Sequence, residues 1–179
     1  MQLEGSRTQA NLMAAFAGES QARNKYTFYA KAAQRDGYEQ IAALFEETAA
    51  NEQAHAWIWM KLLRGGQMPD TKGALEDAAG GEHFEHTEMY PRFAAEAREE
   101  GFEHIAVLFD KVARIEQEHE ERFRTLIGNL EDGLTFSREG DAVWQCRVCG
   151  HIHVGKKAPE RCPVCEHPRA FFQMQQKNY

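Results

Sequence analysis

Two motifs in the sequence pair a glutamate with a histidine three residues later, namely Glu52-x-x-His55 and Glu116-x-x-His119. Positions i and i+3 of an α-helix lie on the same face, so each motif would set a carboxylate beside an imidazole. Both motifs fall within stripes of apolar residues, where an unpaired carboxylate is costly to bury. A metal ion would offset these charges.

The alternative interpretation is that the glutamates are solvated and the histidines are hydrogen-bonded core residues, as a lone histidine on an apolar face usually is. Repetition of the whole stripe argues against it, because a shift of 64 positions superimposes one stripe on the other. The inward positions of the first stripe are Ile41, Phe45, Thr48, Glu52, His55, Trp59 and Leu62. Those of the second are Ile105, Phe109, Val112, Glu116, His119, Phe123 and Leu126.

Further carboxylates complete a candidate di-metal ligand set. Glu19 follows Leu12 and Phe16 on one predicted helix, and Glu82 and Glu85 lie on another. One glutamate from each of two helices, with a Glu-x-x-His from each of two more, is the ligand set of ferritin-like di-iron and di-manganese bundles. These oxygen and nitrogen donors suit iron, manganese or zinc. Glu85 is a seventh candidate ligand, which would let one metal exchange partners when its charge changes.

The helix that carries Glu82 breaks the repeat by one residue. Tyr90 aligns with Tyr26 under the 64-residue shift, but Glu19 then meets His83 instead of Glu82. A single π-bulge between Glu82 and Tyr90 would absorb this slip. We expect both tyrosines to lie near the carboxylates, where a phenol could donate a hydrogen bond to a ligand oxygen.

Other ionisable residues near these motifs are assigned no site: the histidines are interpreted as surface residues or as neighbours of the ligands, and the glutamate pairs as solvated helix faces. They are His83, His86, His104, the pair Glu99-Glu100 and the pair Glu120-Glu121.

The four cysteines form two knuckles, Cys146-x-x-Cys149 and Cys162-x-x-Cys165. Two such knuckles make a tetrahedral four-sulfur site for iron or zinc, and a structural zinc ribbon is the simpler alternative. Trp144, Phe171 and Phe172 are the candidate core around it. Unpaired cysteines used as ligands suit a reducing cytoplasm.

Apolar spacings of three and four predict helices through the first 130 residues, and the tail has no helical face. The fold class is mainly α, a ferritin-like four-helix bundle with a small β-rich, metal-stapled C-terminal domain. The predicted helices are A 8–36, B 38–64, C 79–100 and D 102–129, with a crossover at 65–78. The predicted domains are a di-iron domain 1–133, a linker 134–140 and a rubredoxin-like domain 141–179.

The chain of 179 residues carries a net charge of −7, which disfavours a nucleic-acid or anionic-membrane surface. The N-terminal segment lacks a signal-peptide pattern, and no apolar run is long enough to span a membrane. We therefore expect a cytoplasmic protein whose partners are small molecules or other proteins.

The chain resembles the rubrerythrin family over nearly its whole length. The segments that carry the resemblance are GESQARNKY (18–26), ANEQAHA (50–56), GEHFEHTEMYP (81–91), IEQEHEERF (115–123) and CRVCGHIHVGKKAPERCPVC (146–165). The resemblance implies a non-haem di-iron peroxidase that reduces hydrogen peroxide to water. Electrons would enter through a rubredoxin-type Fe(Cys)4 centre from a separate NAD(P)H-dependent reductase or a rubredoxin.

By the same resemblance, seven residues are di-iron ligands and four bind the single iron. They are Glu19, Glu52, His55, Glu82, Glu85, Glu116 and His119, and Cys146, Cys149, Cys162 and Cys165. The resemblance also implies that Glu85 and His55 exchange on one iron between redox states, and that the protein forms a head-to-tail homodimer. A ferritin-like iron-oxidising or storage protein is the alternative, and a sensor or scaffold with a zinc ribbon is a third.

Overall fold

The structure is a computed structural model that describes residues 2–178. It is mainly helical, with a small three-stranded sheet near the C-terminus that carries the four cysteines. The predicted fold class is confirmed. The chain divides into two units at Pro69 and Asp70, and each is described by itself.

The first unit is a hairpin of two long helices, α1 (Arg7–Arg35) and α2 (Glu39–Leu63). The hydroxyl of Ser6 caps α1 by accepting a hydrogen bond from the backbone N–H of Gln9. Gly37, at φ 85°, turns the chain between the helices. Three alanines at the helix contact are buried, and their small side chains let the two backbones approach closely: Ala30, Ala33 and Ala42.

The second unit repeats this hairpin with a first arm made of three helical segments. The arm consists of α3 (Thr71–Phe84), a π-helix (Glu85–Met89) and α4 (Tyr90–Glu99), and α5 (Glu103–Glu131) packs against it. Gly101, also at φ 85°, makes the turn, as the repeat predicts. The π-helix confirms the predicted bulge between Glu82 and Tyr90.

The predicted crossover 65–78 is shorter in the structure, because part of this segment is helical. α3 begins at Thr71, eight residues before the predicted start of helix C, because the carboxylate of Asp70 accepts a hydrogen bond from the N–H of Gly73 and caps the helix. This cap stabilises the start of α3 although Gly73, a poor helix former, lies in its first turn.

Part of each apolar stripe is exposed, contrary to the prediction that all its positions face inward. Ile41 and Leu62 are 47% and 46% exposed, and Ile105 and Leu126 are 43% and 42% exposed. Each hairpin buries the small residues at the helix contact, such as Ala42 and Ala106, while the larger side chains of the stripe flank it.

The C-terminal sheet has strand order β2-β1-β3, all antiparallel: β1 (Ser137–Cys146), β2 (Ile152–Lys157) and β3 (Phe172–Met174). Its core holds Trp144, whose indole N–H donates to the carbonyl of Gly155 at 2.9 Å, together with Phe172. Phe171, expected in this core, is 40% exposed at the end of the short 3-10 helix that precedes β3. β1 begins within the predicted linker 134–140.

Among residues 2–178, the helices contain no stretch long and apolar enough to cross a membrane.

Candidate metal centres

The first hairpin brings together Glu19 from α1 with Glu52 and His55 from α2. The Nδ1 atom of His55 lies 2.9 Å from Oε2 of Glu52 and 3.8 Å from Oε1 of Glu19. The two carboxylates are largely covered, with side chains 16% and 28% exposed. This group is a half-site with two carboxylates and one imidazole.

The second hairpin repeats the half-site with Glu82 from α3 and with Glu116 and His119 from α5. The Nδ1 atom of His119 lies 2.7 Å from Oε2 of Glu116 and 3.8 Å from Oε1 of Glu82. Burial, and then the negative charge of Glu116, raise the pKa of Glu82 above its usual value. A cation beside Glu82 would favour its charged form.

Glu85 and Tyr90 lie near the second half-site, and Tyr26 lies on α1 of the first hairpin. Glu85 is half-buried at the start of the π-helix. Burial, and then the charge of Glu85, raise the pKa of Tyr90, so its phenol stays protonated and able to donate a hydrogen bond. Tyr26 packs on Phe45 with ring centroids 6.1 Å apart, and Tyr90 packs on Phe109 at 6.0 Å. The repeat therefore extends to the aromatic neighbours.

The four cysteine sulfurs converge in the small sheet domain. The Sγ atoms of Cys146 and Cys165 are 3.7 Å apart, and those of Cys149 and Cys162 are 3.5 Å apart. Metal–sulfur bonds of about 2.3 Å in a tetrahedral site place sulfurs at about these separations. The donor set fits one tetrahedral metal ion.

The backbone of each knuckle stabilises thiolates. The N–H of Cys149 lowers the pKa of Cys146. Burial opposes ionisation of Cys162, but the N–H groups of Cys165 and Val164 outweigh it and lower its pKa to about 7. A metal ion binds thiolate, so these amides favour the ligating form.

A third donor group was not predicted from the sequence. Glu120, interpreted there as part of a solvated face, is only 7% exposed. Its Oε2 atom lies 2.5 Å from Nε2 of His86 and 3.1 Å from Nδ1 of His83, and its Oε1 accepts a hydrogen bond from Arg124. The contact with His86 is the main cause that lowers the pKa of Glu120 to about 2. The i, i+3 spacing of the two histidines was the signal available in the sequence.

Two matching Glu/His half-sites and a four-cysteine sheet domain occur in one mainly helical chain. These features define a class of non-haem redox protein that carries a dinuclear and a mononuclear metal centre. The comparisons specify the class further. A family model described as rubrerythrin matches residues 10–127, and one described as the rubrerythrin rubredoxin-like domain matches residues 144–173. The chain belongs to the rubrerythrin family. Its metals are accordingly iron, two at a di-iron site and one at the four cysteines.

Full-length relatives agree with this assignment. The chain is 45% identical to a rubrerythrin of Porphyromonas gingivalis, with 99% of this chain and 94% of the relative covered. It is 46% identical to a rubrerythrin of Nitratidesulfovibrio vulgaris, with 96% of each covered. A solved structure of nigerythrin in a partially reduced state is 35% identical over 94% of this chain and 86% of that chain, with a TM-score of 0.37. The chain is an iron-dependent redox protein whose rubredoxin-like domain receives electrons from a partner.

Proposed function

We propose that this protein is a peroxidase that reduces hydrogen peroxide to water, with consumption of two electrons and two protons per peroxide. The observation that carries the proposal is the joint presence of two matching Glu/His half-sites and a separate four-sulfur centre in one chain. Storage or simple oxidation of iron does not require an electron-entry domain. A peroxidase does, because its metals must be reduced again after each turnover.

In this proposal both half-sites supply ligands to iron. The proposed ligands are Glu19, Glu52, His55, Glu82, Glu85, Glu116 and His119. When bound, the irons supply one electron each to the O–O bond of peroxide. The carboxylates balance the charge of the metals, and the chemistry of the donor set suits iron in both common oxidation states.

The protein's own residues hold the ligands and the protons. Glu85 follows Glu82 by three residues, a spacing that sets both on one helix face, so a further carboxylate would be available for exchange with His55. The Tyr90 phenol keeps its proton beside the carboxylates, where it would orient a ligand oxygen by donating to it. Tyr26 would donate to a ligand oxygen in the first hairpin.

Electrons enter at the iron bound by Cys146, Cys149, Cys162 and Cys165. The proposed donors are an NAD(P)H-dependent reductase or a rubredoxin. We place the protein in the cytoplasm, where thiolates remain reduced. The proposed domain limits remain 1–133, 134–140 and 141–179.

The proposed working unit is a head-to-tail homodimer. Both hairpins expose large apolar side chains, which a second copy would cover. They include Phe28, Leu44, Trp57, Phe84, Leu108 and Ile115.

The test is a stopped-flow reaction of the iron-loaded, anaerobically reduced chain with hydrogen peroxide. The ferric Fe(Cys)4 absorption should return at a rate at least about tenfold faster than in Glu52→Ala, while Glu47→Ala, an exposed control on the same helix, should match the parent. Reoxidation that is faster with dioxygen than with peroxide would instead favour the ferritin-like iron oxidase.

A further inference from the structure

We infer that His83, His86 and Glu120 form a third metal site, which takes a divalent transition metal such as zinc and is separate from the di-iron and four-cysteine centres. One nitrogen from each histidine and one oxygen of the glutamate lie within 4.8 Å of one another. Two imidazoles and a carboxylate, with one coordination position left open, are a common protein ligand set for zinc.

The contacts need little rearrangement to accept an ion. Zinc at about 2.1 Å from each donor in a tetrahedral site would set the donors about 3.4 Å apart. The nitrogens of His86 and His83 already lie 2.5 and 3.1 Å from Oε2 of Glu120. Each contact would lengthen by less than about 1 Å, which side-chain rotation can supply. His83, with its side chain 53% exposed, is free to make that movement.

Arg124 fixes the glutamate without occupying the metal position. Its Nε donates to Oε1 of Glu120 at 2.5 Å, which leaves Oε2 directed at the two histidines. Partners that orient a ligand in this way commonly raise the affinity of metal sites. The rings of His83 and His86 meet edge to face, with their centroids 5.4 Å apart, so the two imidazoles pack beside each other at the carboxylate.

The site is distinct from the neighbouring half-site although its residues adjoin it in sequence. His83 follows Glu82, His86 follows Glu85, and Glu120 follows His119. Consecutive residues of a helix point about 100° apart, so the two donor sets occupy different faces of the same hairpin. The half-site contact of His119 with Glu116, at 2.7 Å, closely resembles the contact of His86 with Glu120.

The competing explanation is that Glu120 is only an ion-paired carboxylate, neutralised by Arg124 and by protonated histidines. It predicts no affinity for zinc. Metal binding requires neutral imidazoles and releases their protons, whereas an ion pair keeps them.

The experiment is equilibrium dialysis of the full, three-iron protein against Zn²⁺, followed by analysis of both metals and by zinc-edge X-ray absorption. We expect one zinc per chain with the iron content unchanged, in a shell of nitrogen and oxygen at about 2.0–2.1 Å that shows imidazole scattering. His86→Gln and His83→Asn should each weaken zinc binding at least about tenfold. His104→Gln, an exposed histidine on α5, should bind as the parent does.

His83→Asn keeps the test decisive if His86→Gln fails to fold, because His83 is the most exposed of the three. Three results would overturn the inference: no bound zinc, zinc taken up only as iron is lost, or equal affinity in His83→Asn and the parent.

Discussion

Glu85 is the carboxylate that the Glu/His repeat does not require, because each hairpin already has two carboxylates and one histidine. We predict that Glu85→Ala retains two irons at the di-iron site but lowers the turnover of peroxide. Six ligands remain, and only the exchange of Glu85 with His55 is lost. Iron analysis with steady-state kinetics measures this, and Glu88→Ala, an exposed neighbour in the π-helix, is the control. Loss of iron from Glu85→Ala equal to that from Glu52→Ala would contradict the exchange.

Glu52 differs from Glu85 because it belongs to the Glu-x-x-His repeat and lies 2.9 Å from His55. We predict that Glu52→Ala lowers the iron content of the di-iron site and leaves the Fe(Cys)4 absorption unchanged, since a proposed ligand that belongs to the repeat is removed. Glu47→Ala, exposed on α2, should keep full iron content. A Glu52→Ala protein with all its iron would show that this carboxylate is not a ligand.

At the scale of single residues, the sequence predicts ligand groups whose members lie close together on one helix. It also predicts groups that recur at matching positions of a second helix. Glu52 with His55 and Glu116 with His119 follow from i, i+3 spacing alone. Glu120 was missed because its burial depends on His83 and His86, which lie 34 residues or more away along the chain. Only tertiary packing brings a buried carboxylate to those histidines.

At the scale of the elements, buried alanines hold each hairpin together. We predict that Ala106→Leu, at a position with 0% exposure where α5 packs against α4, destabilises the second hairpin by about 1–3 kcal/mol, because no space exists for the larger side chain. Thermal unfolding followed by circular dichroism measures the change. Val107→Leu, at a position 37% exposed on the same helix, is the matched control. Equal melting temperatures for the parent and Ala106→Leu would mean that the helix contact is looser than the structure indicates.

The π-helix and the start of α3 show what a sequence can predict of an element. The π-helix was predictable because the misalignment of Glu82 against Glu19 leaves one residue too many before Tyr90. The start of α3 was not, because Gly73 weakens the helical pattern and the cap from Asp70 depends on a single hydrogen bond. The contact between helices through buried alanines was also not predicted. The large apolar residues dominate the apolar periodicity of the sequence, and the small alanines add little to it.

The sheet domain is built around its cysteines, since Cys146 and Cys162 are among its buried core residues. We predict that the oxidised protein is red and holds about three irons per chain, because ferric iron with four thiolates has strong charge-transfer absorption. Cys162→Ser should lose the colour and one iron while the helical circular dichroism is preserved. Val164→Ala, which changes an exposed side chain of the same knuckle, should remain red. Loss of helical signal with the colour would show that the helices depend on the sheet domain.

At the scale of the whole molecule, the position of the sheet domain bears on the electron route. α5 ends at Glu131 and β1 begins at Ser137, so a short connection keeps the domain near the end of that helix, where Leu126 and Asn129 line a cavity with Phe172. Glu116 lies fifteen residues before Glu131, roughly 22 Å along the helix axis. The sheet domain is therefore joined to a helix end that lies well away from Glu116 along the helix axis.

This placement leads us to predict that the four-cysteine iron reduces the di-iron site of the second subunit in a head-to-tail dimer. A twofold pairing would serve both tails at once. The test is a mixed dimer of one chain that ends at Leu134, without the sheet domain, and one full chain with Glu52→Ala, purified through two different tags. Each parent homodimer lacks one required centre and should be inactive. In the mixed dimer, only a path between subunits joins an intact Fe(Cys)4 centre to intact di-iron ligands, so peroxidase activity should appear. Verified mixed dimers without activity would mean that electrons pass within one chain.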